Sequence, residues 1–213
     1  MGLRMRNRSI YLLQGKVGAG KSLISQRLIH GMAHNGVKIL VITTELTTRG
    51  WIEQMESIGY GMTDFIRTGQ VMVLSRYGTV ADSRQDVTFE EILNSPAIPA
   101  ADVILIDSVG SLLPDNMEKQ DHFELIQQLR KIASEGRSFM LCADPEEMDG
   151  NLLHSLRASA EVVLDLDNVL IGGELKRSIV ITRFLRAAGP LQTSVGWRVE
   201  PGMGFIVDIT AVS

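Results

Sequence analysis

The sequence predicts an α/β fold: a mostly parallel sheet flanked by helices, with antiparallel hairpins added at the C-terminal edge. Three observations carry this. Short apolar, β-branched runs alternate with helical patterns as far as residue 142, the rhythm of strand–helix–strand units. The run Val103-Ile104-Leu105-Ile106 is apolar throughout, as a strand buried on both faces must be. After about residue 160 the strands follow one another with no helical length between them.

In order, Ile10–Leu13 reads as the first strand. A helix from Lys21 to about His34 follows, with Leu23, Ile24, Leu28 and Ile29 on one stripe. Ile39–Ile42 is the second strand, then a helix through Trp51, Met55 and Ile58. Val71–Leu74 and Val103–Ile106 are the third and fourth strands. Segment 119–135 carries Leu125, Ile126, Leu129, Ile132 and Ala133 at helical spacing, with Gly136 placed to end it. Phe139–Cys142 is the fifth strand. Val162–Leu164, Ile179–Ile181 and Phe205–Val207 are the C-terminal strands, with Gly172-Gly173 and Gly189-Pro190 supplying turns.

The 213 residues suit one domain spanning 1–213, with 1–9 as a short N-terminal arm and 160–213 as the hairpin extension. Lys and Arg number 21 against 25 Asp and Glu, a formal charge of −4. This balance carries no footprint of a nucleic-acid binder, which usually shows a basic patch or high pI. Hydrophobic residues at 45 % and charged residues at 22 % exclude a disordered chain. The single cysteine, Cys142, lies in the apolar run Phe139–Cys142 and reads as a buried thiol of a reduced compartment. No apolar stretch reaches the roughly 18 residues of a membrane span, and Met1–Arg6 has no apolar core behind it for a signal peptide. A cytoplasmic protein is expected.

The strongest signal is Gly15-Lys16-Val17-Gly18-Ala19-Gly20-Lys21-Ser22, which fits G-x-x-x-x-G-K-[ST]. The glycines let the backbone fold into a nest whose N–H groups face phosphate oxygens, and the helix opening at Lys21 adds its N-terminal dipole. From Gly15 to Leu23 the loop is the candidate nucleotide site. Lys21 is expected to reach the β- and γ-phosphates and Ser22 to ligate Mg²⁺. Asp107 ends a buried strand where its carboxylate can hold a magnesium water. Glu45 ends the strand after the loop's helix. If that strand neighbours the loop, its carboxylate can face the γ-phosphate and orient water. Lys21 and Glu45 are thus the candidate catalytic residues, and Ser22 and Asp107 the candidate metal ligands.

Gly15–Ser22, the acid of Thr43-Thr44-Glu45 and Ile104-Leu105-Ile106-Asp107-Ser108 together resemble the RecA-like P-loop ATPases, and within them the KaiC-like group. Thr43-Thr44-Glu45-Leu46-Thr47, Gln54-Met55-Glu56-Ser57 and Val199-Glu200-Pro201-Gly202-Met203-Gly204-Phe205 look more like the FlaH-like branch, the accessory ATPases of the archaellum (archaeal flagellum). The resemblance implies ATP and Mg²⁺ as cofactors and self-association into a ring, with a hexamer as one form. It implies work beside the motor ATPase FlaI and the membrane platform, at the inner face of the membrane, with weak or conditional hydrolysis. Two departures stand out. KaiC-like chains usually carry a segment before the first strand where here only Met1–Ser9 stand, so that segment is expected to be missing or replaced. The family's C-terminal strand often bears Lys-x-Arg aimed at a neighbour's phosphates, where this chain has Arg183-Phe184-Leu185-Arg186. Residues three apart on a regular strand face opposite sides, so either a bulge realigns them or one arginine acts.

Other readings compete. A KaiC-like ATPase with true turnover fits Glu45 plus Asp107. Lys16 at the loop's start also resembles the deviant loop of the MinD/ParA dimers, although Val17 and the hairpin-rich C-terminus do not fit them. A recombinase-like DNA binder is disfavoured by the acidic balance. His30, His34, His122 and His154 form no zinc-ligand spacing with Cys142. Asp144-Pro145-Glu146-Glu147 follows the fifth strand, where RecA-like proteins keep a γ-phosphate sensor, and reads equally well as a polar loop. Arg4, Arg6 and Arg8 form a short basic arm, read as solvated.

Overall fold

A computed structural model describes residues 8–79, 87–114, 117–171, 174–185, 194–200 and 202–208. Strands β1 (Ile10–Gln14), β2 (Ile39–Thr43), β3 (Val71–Ser75), β4 (Val103–Asp107) and β5 (Ser138–Ala143) pair in parallel. β6 (Val162–Ile171) joins β1 in parallel, and β7 (Glu174–Phe184), β8 (Ser194–Glu200) and β9 (Gly204–Asp208) continue antiparallel. Among the described residues the order is β3-β2-β4-β5-β1-β6-β7-β8-β9 in one nine-stranded sheet. The expected architecture is therefore the one observed. Ser194–Glu200 forms a strand without a clear sequence signal, because its apolar positions are interrupted by Gly196 and Arg198.

The central strands are buried at every position, and successive side chains feed opposite faces. Ile10, Leu12, Ile104, Ile106, Phe139 and Leu141 face one core, closed by helices α5 (Lys119–Ser134) and α6 (Gly150–Ser159). Tyr11, Leu13, Val41, Leu105 and Met140 face the other, closed by α1 (Lys21–His34) and α2 (Thr48–Ser57). The short helices α3 (Thr63–Arg67) and α4 (Phe89–Leu93), and α6, had no expectation; α3 and α4 are each a little over one turn, too short for a periodic signal. Side chains cap the helices: Thr47 accepts from the Gly50 N–H at the start of α2, and Asp149 from Asn151 and Leu152 at the start of α6.

The C-terminal hairpin folds back over the α1 side of the sheet. β9 packs against α1, the Phe205 N–H donates to the Tyr60 hydroxyl at 2.6 Å, and Phe205 stacks on Trp197 at 5.5 Å. Gly59, at φ 81°, admits the Gly202 carbonyl so closely that a Cβ would stand 2.8 Å from its oxygen. Gly204, at φ 73°, lies against the Tyr60 ring where any Cβ would collide, so the Gly202–Phe205 segment clasps the turn after α2. The expected turns at Gly172-Gly173 and Gly189-Pro190 lie outside the described residues, as do Met1–Asn7 with Arg4 and Arg6, and Arg186. Among the described residues no helix is long and apolar enough to cross a membrane.

Candidate functional site

β2, β4, β5 and β1 end side by side, and the chain beyond β1, β4 and β2 is tied to a neighbouring strand. The Gly15 N–H donates to the Ala143 carbonyl (3.2 Å), Val109 N–H to Cys142 (2.9 Å) and Thr44 N–H to Asp107 (2.8 Å). Thr44 Oγ1 also accepts from the Ser108 N–H at 2.9 Å, locking the end of β2 onto the turn after Asp107. The peptide between Asp107 and Ser108 is cis. These ties hold the predicted residues at one mouth, the carboxyl edge where open α/β sheets bind ligands.

The loop Gly15–Ser22 forms the expected turn. Gly18 and Gly20 hold φ of 80° and 96°, left-handed conformations open to glycine. Gly20 also lies under the indole of Trp197, where any Cβ would collide with the ring. Ala19 is buried, while Val17 at the tip is 79 % exposed. Leu23 is half-buried and packs on the α1-side core. Lys16 is exposed and pairs with Glu146 of the same chain at 2.7 Å. Lys21 is buried and curls back over the loop, its Nζ donating to the Gly15 carbonyl at 2.6 Å and the Lys16 carbonyl at 3.2 Å, and reaching Asp144 Oδ2 at 3.3 Å.

Asp107 is buried, and burial raises its carboxyl above the ordinary range, opposed by hydrogen bonds from Ser22 and Cys142 and by the Lys21 charge. Its Oδ1 is buried with no hydrogen-bond partner among the described residues. Glu45 is not on a strand next to the loop: β5 and β4 stand between β1 and β2. Its side chain is exposed, within electrostatic range of Asp107, Lys21 and Asp144. Its carboxyl is raised first by burial and then by the charges of Asp107 and Asp144, with Lys21 opposing. Arg183 lies beside a bulge: Val163 pairs with Arg183 but Leu164 with Ile181, so Thr182 is the extra residue. The Arg183 guanidinium donates to the Arg157 carbonyl at 3.5 Å.

Three neighbours of the site carried weak or no sequence signal. Asp144, which read equally as a polar loop, is buried against Lys21. Asp165 of β6 takes a hydrogen bond from Gln14, immediately before the loop, and an ion pair from Arg157 at 3.3 Å. Trp197 roofs the loop from a strand roughly 180 residues later in the chain. A separate apolar groove of about 360 Å³, lined in part by Leu40, Ile42, Leu74 and Ile92, lies at the β2–β3 edge, away from the loop.

The arrangement can receive an anion. Left-handed glycines shape the nest, a buried ammonium sits behind it, and the hydroxyl of Ser22 stands beside an acid with an uncommitted oxygen. Two protein ligands suit Mg²⁺, which keeps waters and substrate phosphates in its shell.

The crystal structure of flagellar accessory protein FlaH from Methanocaldococcus jannaschii superposes with a TM-score of 0.86 at 25 % identity, covering 96 % of this chain and 91 % of that one. A KaiC-like protein from Pyrococcus horikoshii superposes at 0.74 with 19 % identity, a likeness of fold. In sequence, the archaeal flagellar ATP-binding protein FlaH of Methanococcus voltae is 29 % identical over 206 residues, 96 % of this chain and 90 % of that protein. Its Methanocaldococcus jannaschii counterpart is 27 % identical over 206 residues, 96 % of this chain and 88 % of that protein. The fold is thus the RecA-like, KaiC-type one, and the resemblance to FlaH read from the motifs holds along nearly the whole chain. The family model described as "ATPase: KaiC" matches residues 2–190, and the chain belongs to the KaiC-like ATPase family.

Proposed function

We propose that this chain is an ATP-binding, nucleotide-regulated assembly component of an archaellum motor, FlaH-like in role, with weak or conditional hydrolysis. The observation that carries the reading is the buried Lys21 inside the Gly15–Ser22 nest, next to the buried Asp107 whose Oδ1 has no partner among the described residues. The names of its relatives support the setting: each is an archaeal flagellar ATP-binding protein.

In this reading the loop N–H groups from Gly15 to Leu23 hold the phosphates, and Lys21 turns from its loop carbonyls to the β- and γ-phosphates. Ser22 and Asp107 hold Mg²⁺, which when bound neutralises phosphate charge. Glu45, at the open rim, orients water. Arg183 and Arg186 are candidates to reach a neighbouring copy's phosphates across a ring interface. The protein works in the cytoplasm, docked peripherally at the inner face of the membrane, with the motor ATPase FlaI and the membrane platform as partners.

A second reading, a KaiC-like ATPase with true turnover, is supported by the charge coupling of Glu45 to Asp107 and Lys21. A MinD/ParA-like dimer is disfavoured by the match of residues 2–190 to the KaiC family model. Mass-resolved light scattering with ADP and with ATP–Mg²⁺ tests the proposal. The expected result is a ring-sized species with ATP–Mg²⁺ that is lost in Lys21→Ala, a variant that stays folded but no longer binds nucleotide. Unchanged mass in every nucleotide state, or undiminished ATP affinity in Lys21→Ala, overturns it. A steady-state rate near or above about 1 s⁻¹ selects the turnover reading.

A further inference from the structure

The last turns of α1 carry His30 and His34, four positions apart, so both rings stand on one face of the helix. Their Nε2 atoms are 3.2 Å apart, and the ring centres 4.5 Å apart with the planes at 73°. Aromatic neighbours hold both rings. His30 lies against Tyr60 at 4.9 Å, and Phe65 of α3 meets His34 edge-on at 5.0 Å. A straight N–H···N bond of 3.2 Å would separate the ring centres by that length plus both ring radii. At 4.5 Å the centres are closer than that. The two nitrogens therefore stand beside each other rather than nose to nose, as two ligands of one centre do. His30 is half-buried and His34 exposed, so the pair is open to solvent.

We infer that His30 and His34 form a two-histidine chelate, through both Nε2 atoms, for a divalent transition cation of the Zn²⁺, Ni²⁺ or Cu²⁺ class. Two nitrogens each about 2.0–2.1 Å from one metal stand about 2.9 Å apart at a right angle and about 3.3 Å apart at the tetrahedral angle. The observed 3.2 Å lies between these. Imidazole suits such metals, whereas Mg²⁺ and Ca²⁺ take oxygen. Arg27, one turn before His30, rests over the Tyr60 ring at 5.6 Å. Its charge opposes a cation held by charge alone and leaves the nitrogen–metal bonds as the source of affinity. Among the described residues no third His, Cys, Asp or Glu completes a metal-binding group. The rest of the shell therefore falls to water, and the site is open, unlike the closed four-ligand set of a structural zinc. The pair lies beyond Ser22 by about 12–18 Å along the helix, separate from the phosphate loop. Tyr60, which touches His30, also takes the Phe205 N–H of the C-terminal hairpin. A cation fixing the two rings thus braces α1 against the turn that the hairpin clasps.

The test uses the full chain in excess Mg²⁺. Zn²⁺ is titrated by calorimetry, and one equivalent of Cu²⁺ is read by electron paramagnetic resonance. Wild type is compared with His34→Gln and with His30→Phe, which fills the ring's volume against Tyr60 without a ligand. Wild type is expected to bind one Zn²⁺ per chain, and each variant to bind it about tenfold or more weakly, since the chelate is lost. The two-nitrogen splitting of the wild-type Cu²⁺ spectrum is expected to disappear in both variants. Saturating Zn²⁺ is expected to raise the unfolding temperature of wild type and to leave that of His34→Gln unmoved. If His30→Phe does not fold, His34→Gln decides alone, because His34 is exposed. Zn²⁺ binding at wild-type strength in His34→Gln overturns the chelate, even if His30→Phe is defective, since that is the mark of a single ligand or of packing. Loss of ATP affinity in step with Zn²⁺ also overturns it, since the metal then belongs to the phosphate loop. No saturable Zn²⁺ binding by wild type overturns the site altogether.

Discussion

Lys21 Nζ and Asp144 Oδ2 stand 3.3 Å apart, both side chains almost fully removed from solvent. The two residues are 123 positions apart in sequence. They meet because β1 and β5 pair in register, Gln14 beside Ala143, which sets the first residues past each strand together. A buried pair of this kind contributes little net stability, since desolvation of both charges offsets their attraction. Its consequence is for binding: a phosphate must draw Lys21 away from Asp144 and then share the crevice with that carboxylate.

Asp144→Asn is therefore expected to tighten ATP binding. A unit charge close to a phosphate at the effective dielectric of such a crevice is worth on the order of 1–2 kcal/mol, so the gain is about tenfold and larger for ATP than for ADP. Calorimetric titration of both nucleotides checks it. Unchanged or weaker affinity would mean that Asp144 itself helps to hold the ligand.

Glu45 gives a prediction in pH. Its carboxyl is raised from the usual 4.5 by burial and by Asp107, and it can accept a proton from water only when ionised. The acid limb of any hydrolysis should accordingly lie above the ordinary glutamate value. Glu45→Gln should remove that limb and lower hydrolysis by about 10²–10⁴-fold, with ATP–Mg²⁺ affinity preserved. A pH–rate profile of both proteins under single-turnover conditions decides it. If the nucleotide acts as a switch, ring formation with ATP survives the substitution.

Asp107 gives a prediction in stability. Its carboxyl is raised from the model-peptide value of 3.8, so the folded chain takes up this proton more readily than the unfolded one. The cost of ionising it is fully present above the folded pKa and is relieved as pH falls through that value. Without metal, Asp107→Asn should melt at or above the wild-type temperature near neutral pH, and the gap should narrow in mild acid. Thermal melts in EDTA at the two pH values measure this. A variant that melts well below wild type near neutrality would show the carboxylate to be stabilising.

Trp197 couples the phosphate loop to the C-terminal hairpin, since its ring lies on Gly20 and under Phe205. Trp197→Ala should cost about 3–5 kcal/mol in denaturant unfolding, as large core truncations do. The chain holds two tryptophans, and the other, Trp51, is buried in the α1–α2 core. In Trp51→Phe, the emission of Trp197 should therefore respond to ATP. An emission unmoved by saturating ATP would uncouple the hairpin from the loop.

Sequence alone fixed what is local. Contiguous apolar strands, the G-x-x-x-x-G-K-S loop and the helix beginning at Lys21 could be placed because backbone nests, strand periodicity and helix starts depend on residues within a few positions of one another. Asp107 was legible for the same reason, as an acid ending a buried strand. The tertiary structure decided what lies across the sheet. Sheet order puts two strands between Glu45 and the loop, so the glutamate reaches the crevice from its rim, as no local pattern states. Register joins Asp144 to Lys21 and Cys142 to Asp107, because strands remote in sequence end at the same level. The fold of the last hairpin brings Trp197 over Gly20. These contacts depend on pairing and packing between distant segments, whose energies are settled only when the whole sheet has formed.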